Sequence, residues 1–275
     1  MISKRAFWIK TIALVLGLVL FFAIWYILAY CLKQSGNMIL PYPHETFIRA
    51  FELLFMREAV RTWYAIGNTT WRVVLGFAIS FLLGGLLGTL SGLFKFGEFF
   101  FKPGVGIMRS IPTAAVVIVL LGILFTPKTL SWLNYVPCIL TFIVAFPLIY
   151  EAFRAGIASE DKEVVDALSI DAGKRSLRGT WKVLLPDAWP FVALAIAQSF
   201  GLSFKTAIMA EVLNSSNAAS PGIGTMILLS RQTGDLDGIV AYALISLAVM
   251  AVVDIPWLIL KHLKEKKDEV GESGK

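Results

Sequence analysis

Residues 70–94 read TWRVVLGFAISFLLGGLLGTLSGLF, a run that is apolar over most of its length. A helix that crosses the hydrocarbon core needs about 20 predominantly apolar residues, and this run supplies them. Gly76, Gly84, Gly88 and Gly92 recur in it at steps of eight, four and four, nearly on one helical face. Gly84-x3-Gly88-x3-Gly92 is a doubled small-xxx-small pattern, which lets a second helix approach closely in lipid. We expect that second helix to come from the same chain.

Outward from this run, five more stretches are long and apolar enough to span: Phe7–Leu32, Pro103–Phe125, Ser131–Phe153, Ala188–Leu213 and Gly238–Leu260. Pro137 and Pro147 interrupt the fourth span, a break that neighbouring helices can satisfy. The first span is too long for a signal-peptide core and no A-x-A-like site follows it, so it is expected to be retained. The reading is an all-α polytopic membrane protein with six transmembrane helices, one membrane domain over residues 1–275.

Composition agrees. Of 275 residues, 57% are hydrophobic and 16% charged, with a mean hydropathy of +0.74. Soluble domains carry about 25% charged residues, so this chain cannot cover a water-facing surface. An ordinary cytosolic enzyme, a disordered region and a nucleic-acid partner are excluded. Cys31 and Cys138 sit in separate apolar runs, and His44 and His262 have no ligand-like spacing, so no metal site is expected.

The basic residues set the orientation. Sixteen fall in the N-terminal tail, the second and fourth loops and the C-terminal tail at 261–275; six fall on the other side. Basic residues favour the cytoplasm, so both termini are expected there. On the outside, Leu40-Pro41-Tyr42-Pro43 predicts a rigid turn. Thr46–Phe55 follows with Phe47, Phe51, Leu54 and Phe55 at helical spacing, the pattern of an amphipathic helix on the outer membrane surface.

The longest cytoplasmic loop, residues 155–186, reads as a helical hairpin. Lys162–Ile170 has Val164, Val165 and Leu168 on one side, and Gly173 suits a helix end. Leu177, Trp181, Leu184 and Leu185 form a second stripe, which Pro186 stops. Gly173, then Val183 and Leu185-Pro186, resembles the "EAA" loop of permease subunits of bacterial ABC importers. The family's Glu-Ala-Ala triplet falls on Ala167, Leu168 and Ser169, with the acidic residue, Asp166, one position early.

The resemblance covers most of the chain. Leu40-Pro41-Tyr42-Pro43, the stretch from Asn68 to Phe77, Arg109-Ser110-Ile111-Pro112, Ala210-Glu211-Val212-Leu213 and Pro221-Gly222-Ile223-Gly224 are similar to the branch importing nitrate, taurine, sulfonates and bicarbonate. It implies a type I ABC importer permease fold, a homodimer of this chain surrounded by lipid, two ATPase subunits docked on the 155–186 loops, and an extracytoplasmic substrate-binding protein. Relatives that carry thiamine precursors or other heterocycles keep that substrate class open, and an ion-coupled transporter is the alternative of another class. No G-x-x-x-x-G-K-[ST] loop is present, so ATP is expected to be used by a separate subunit, with no cofactor in this chain.

Charges at bilayer depth are expensive, so Arg109, Lys205, Glu211 and Asp254 are candidates for function. Lys205 lies deep in the fifth span beside Ser203 and Thr206, and the resemblance puts that span along the translocation path. No nucleophile–base pair or paired carboxylate occurs in a span, so the chain is not expected to be an enzyme.

Overall fold

A computed structural model describes residues 4–36, 40–124, 130–159, 183–214 and 220–252. All regular structure in these residues is helical. The elements are α1 (Lys4–Gln34), α2 (Pro43–Phe55), α3 (Ala59–Leu93), α4 (Lys95–Ser110), α5 (Thr113–Leu124), a 3-10 turn (Leu130–Tyr135), α6 (Val136–Ala158), α7 (Leu185–Leu213), α8 (Ile223–Thr233) and α9 (Leu236–Val252). Four of them, α1, α3, α6 (with the end of the 3-10 turn) and α7, are long and apolar enough to cross a membrane, and a fifth crossing exists if α4 and α5 count as one span. The expected sixth span is represented by α9; its residues from 253 onward, Asp254 included, lie outside the described residues.

The third span is not the straight helix expected. α4 and α5 meet at 92°. Ile111 has an extended backbone (φ −74°, ψ 126°) because the ring of Pro112 disfavours the helical region for the residue before it. Pro103, expected to open that span, instead lies inside α4. The fourth span departs in the opposite way. Pro147 removes one hydrogen bond to the carbonyl of Ile143, yet α6 continues through it to Ala158. The expected start at Ser131 is a 3-10 turn, and the α-helix begins at Val136 with Pro137 in its first turn, where a missing N–H is harmless.

The chain forms two compact units: residues 1–63 with 226–247, and residues 64–225 with 248–275. In the first, Pro43 opens α2 and the Glu45 carboxylate accepts the N–H of Tyr42 at 3.1 Å, closing the turn that the two prolines predict. Trp25 Nε1 donates to the carbonyl of Pro41 (3.1 Å), and Thr62 and Tyr242 share a buried hydroxyl hydrogen bond (3.2 Å). α8 was not legible in sequence. It ends in Gly234 at φ +75°, a left-handed closure that glycine adopts without strain. The Asp235 carboxylate then accepts the N–H of Gly238 (2.8 Å) and starts α9.

In the second unit the glycine face of α3 is filled by α6. A Cβ on Gly88 would lie 2.5 Å from the carbonyl oxygen of Tyr150, and one on Gly92 2.8 Å from Ile157 Cβ. Gly76 meets Cys138 and Thr141 in the same way. α6 also runs antiparallel to α7, with Gly156 against Ala188, Phe153 against Val192 and Leu140 against Ala210. Leu93, Ile157, Leu184 and Ala188 close one end of this three-helix core.

Candidate functional site

The best-defined polar centre of the second unit is built around Glu211. The residue lies in the last turn of α7 and is fully buried. Its carboxylate accepts from Arg72 Nη1 at 2.8 Å, from Thr69 Oγ1 at 2.8 Å and from the N–H of Gly224 at 3.0 Å. Arg72 reaches onward with Nη2 to the carbonyl (2.7 Å) and hydroxyl (3.0 Å) of Ser220. Thr69 Oγ1 accepts the N–H of Ile223 (2.8 Å), and Asn68 Nδ2 donates to the carbonyl of Pro221 (2.9 Å).

The segment 220–224 is thereby tied to α3 and α7 through one carboxylate. Its glycines are required by space. A Cβ on Gly222 would collide with the Glu211 carboxylate, and one on Gly224 would lie 2.6 Å from Glu211 Cβ. A buried carboxylate is tolerated because every contact made to it is a donor and one donor is a full charge. Chemically the centre is an internal tie, in which two neutral donors and a guanidinium hold one fully buried carboxylate.

Lys205 stands elsewhere. It is exposed on α7 and makes no ion pair among the described residues. Ser203 and Thr206 are buried, and Thr206 Oγ1 donates back to the carbonyl of Leu202 at 2.8 Å. The three neighbours in sequence are therefore not brought together on one surface. Arg109 is exposed in the last turn of α4, next to the break at Ile111–Pro112. Of the cytoplasmic loop, Asp166, Ala167, Leu168 and Gly173 lie outside the described residues. Val183 is half-buried, and Leu185-Pro186 begins α7 with proline in its first turn.

Two residues of the site were missed in sequence. Arg72 and Thr69 sat in the stretch quoted from Asn68 to Phe77, but the partner that gives them meaning is 139 and 142 positions away. The available signal was charge balance, since one acid and one base near the ends of two spans invite pairing.

A second ionic cluster lies at the other end of α3. Arg154 on α6 bonds Glu98 on α4 (3.0 Å) and also Glu151, while Glu98 takes Lys102 at 3.1 Å. In the first unit, Arg49 on α2 binds Asp235 (2.7 Å), Glu58 (3.1 Å) and Glu52 (3.3 Å). Partial burial opposes the Arg49 charge, but the hydrogen bond and field of Asp235, with Glu58 and Glu52, outweigh it and hold the guanidinium above its usual value. Among the described residues no cluster of His, Cys, Asp and Glu could hold a metal ion.

Comparison with known proteins assigns this architecture. Two relatives are named as the aliphatic sulfonates transport permease protein SsuC. That of Bacillus subtilis (strain 168) is 26% identical over 260 residues, 91% of this chain and 84% of the relative. That of Escherichia coli (strain K12) is 27% identical over 257 residues, 88% and 90% of the two chains. A third, named as the molybdenum transport system permease protein YvgM of Bacillus subtilis (strain 168), is 26% identical over 71% of this chain and 92% of its own. Residues 80–261 match the family described as "Binding-protein-dependent transport system inner membrane component". Matched over about two-thirds of its length, and with several helices among its described residues long and apolar enough to cross a membrane, the chain belongs to that family and is the permease subunit of an ABC importer.

Proposed function

We propose that the chain lines the translocation path for a small oxyanion, of which an organic sulfonate is the leading case. The observation that carries this is Lys205. A cation exposed on a membrane-spanning helix and facing acyl chains costs about 2.5–3.5 kcal/mol on insertion scales. Water or a polar partner on that side of α7 removes the penalty. The same face continues through Phe191, Leu194, Gln198 and Leu202, all exposed and three or four residues apart. The exposed break between α4 and α5 supports the reading, since non-helical backbone at membrane depth belongs where it is buried in protein or lines water.

In this reading residues 1–275 act as one permease domain with six crossings, both termini in the cytoplasm of a bacterial inner membrane, and no catalytic residue. Two copies form the path. ATP binding by two separate ATPase subunits moves the docked 155–186 loops, with Asp166 to Leu168 and Gly173 at the contact, and Val183, Leu185 and Pro186 transmitting motion into α7. An external binding protein supplies the solute. Lys205 attracts the anion by charge; Arg109 serves near the break.

The test is uptake by vesicles holding the complex purified through a tag on this chain, with an aliphatic sulfonate and molybdate as probes. Lys205→Met is expected to lower anion uptake at least tenfold while ATP hydrolysis persists. Unchanged uptake removes Lys205 from the path. Absence of a co-purified ATPase subunit, or its retention by Gly173→Asp, overturns the docking assignment.

A further inference from the structure

α2 presents two opposed faces. Taking about 100° per residue, Thr46, Leu53 and Arg49 cluster on one side, and Phe47, Phe51 and Phe55 lie opposite, with Ile48 beside them. Thr46 and Leu53 are fully buried, whereas the three phenylalanines are 50–64% exposed. Phe51 and Phe55 touch one another, with ring centroids 5.0 Å apart. The roll of the helix is fixed, because Arg49 on the inner side is held by Asp235 and Glu58, both outside α2.

The depth of this aromatic face follows from α1. The apolar run begins at Phe7, and a 30 Å core spans about 20 residues at 1.5 Å each, so the boundary lies near Tyr26. Trp25, Tyr26, Tyr42 and His44 gather there: Trp25 bonds Pro41, and the Tyr26 ring lies 4.9 Å from Tyr42 and 6.4 Å from His44. Aromatic rings with a polar edge concentrate at that level of a bilayer. Further along α2, Phe47 meets Phe22, with centroids 6.0 Å apart. As α2 advances, its contacts step back down α1, from residues 25 and 26 to residue 22. The helix therefore leans toward the hydrocarbon, and its phenylalanine face is continuous with the exposed apolar wall of α1.

We infer that α2 is an interfacial anchor: Phe47, Phe51 and Phe55 are immersed in the acyl boundary of the leaflet at the C-terminal end of α1. The occupant of this face is lipid, not a soluble subunit. The immersion depth is that of an in-plane amphipathic helix, about 5–10 Å below the headgroups. Arg49 sets the roll that keeps the rings on the lipid side.

The experiment is spin labelling of the full-length chain in vesicles of phosphatidylethanolamine and phosphatidylglycerol. Single cysteines are placed at 47, 51, 52 and 55, in a background with Cys31→Ser and Cys138→Ala. Collision with oxygen, which partitions into acyl chains, is compared with collision with a water-soluble nickel chelate. Oxygen is expected to dominate severalfold at 47, 51 and 55, and the nickel chelate at 52. Nickel dominance at all four sites overturns the inference in favour of a water-facing helix. Exclusion of both reagents at 47, 51 and 55 overturns it in favour of a protein cover. Because all labelled positions are at least partly exposed, a native oxygen profile at a control label on 20 in α1 shows that the chain is inserted.

Discussion

Arg72 and Glu211 meet at 2.8 Å with 6% and 0% of their side chains exposed, although 139 residues separate them. The pair joins α3 to the end of α7, and each partner carries further bonds to the segment from Ser220 to Gly224. Removing one member of such a pair strands the other charge, which costs about 3–5 kcal/mol, while replacing both with apolar groups is often near neutral. Glu211→Leu and Arg72→Met are therefore each expected to lower the thermal midpoint of the detergent-solubilised chain strongly, and the double variant less than either. A double variant worse than both singles sinks this account.

The segment 220–224 makes a separate prediction. Gly222→Ala puts a methyl where the Glu211 carboxylate sits, so it should behave like partial loss of that carboxylate. We expect a destabilisation of about 1–3 kcal/mol, typical of overpacking, and no further loss when Glu211→Ala, which removes the atoms the methyl would meet, is already present. Additive effects in the double variant would show that the two residues act independently.

On α3, Gly88→Ala drives a methyl to 2.5 Å from the Tyr150 carbonyl oxygen, in a seam with no room on either side. Gly67→Ala on the same helix meets nothing within 4 Å. The first should destabilise by about 1–3 kcal/mol; the second should be neutral or gain up to about 1 kcal/mol from helix propensity. Equal midpoints for the two variants count against α6 filling the seam.

Arg49 and Asp235 are each more than a quarter exposed, so their coupling is expected to be small, about 0.2–1 kcal/mol in a double-mutant cycle, and to shrink with salt. The Arg49 charge is held above its usual value. A raised base contributes fully below its unfolded value and fades only as pH rises through the folded one, which for this guanidinium lies far above the neutral range. The coupling should thus be flat between about pH 7 and pH 9. A decline across that interval points to some other group.

Much of this fold is written in periods that a single segment reveals. The steps of four along Gly84, Gly88 and Gly92 predict a close helix neighbour without saying which, and α6 proves to be it. The Leu40–Pro43 turn and the helix after it follow from local proline chemistry. The bend at Ile111–Pro112 was also local, yet the two helices taken together are apolar enough to read as one span, which masked it. Glu211 was visible as a costly charge, but the meaning of Arg72 and Thr69 depends on a partner brought near only by folding. The apolar pattern is blind to such pairings because it records burial, not company.

The Arg49–Asp235 contact imposes an order of events on synthesis. Its two halves are 186 residues apart, so at about 5–20 residues per second Arg49 leaves the ribosome roughly 10–40 s before Asp235 exists. During that interval Glu52 and Glu58 are its available counter-ions. The first unit cannot be completed until residues 226–247 arrive, after the helices from α3 to α7 have been made. A chain truncated before residue 226 is left with an unfinished N-terminal unit, a distinct target for membrane quality control.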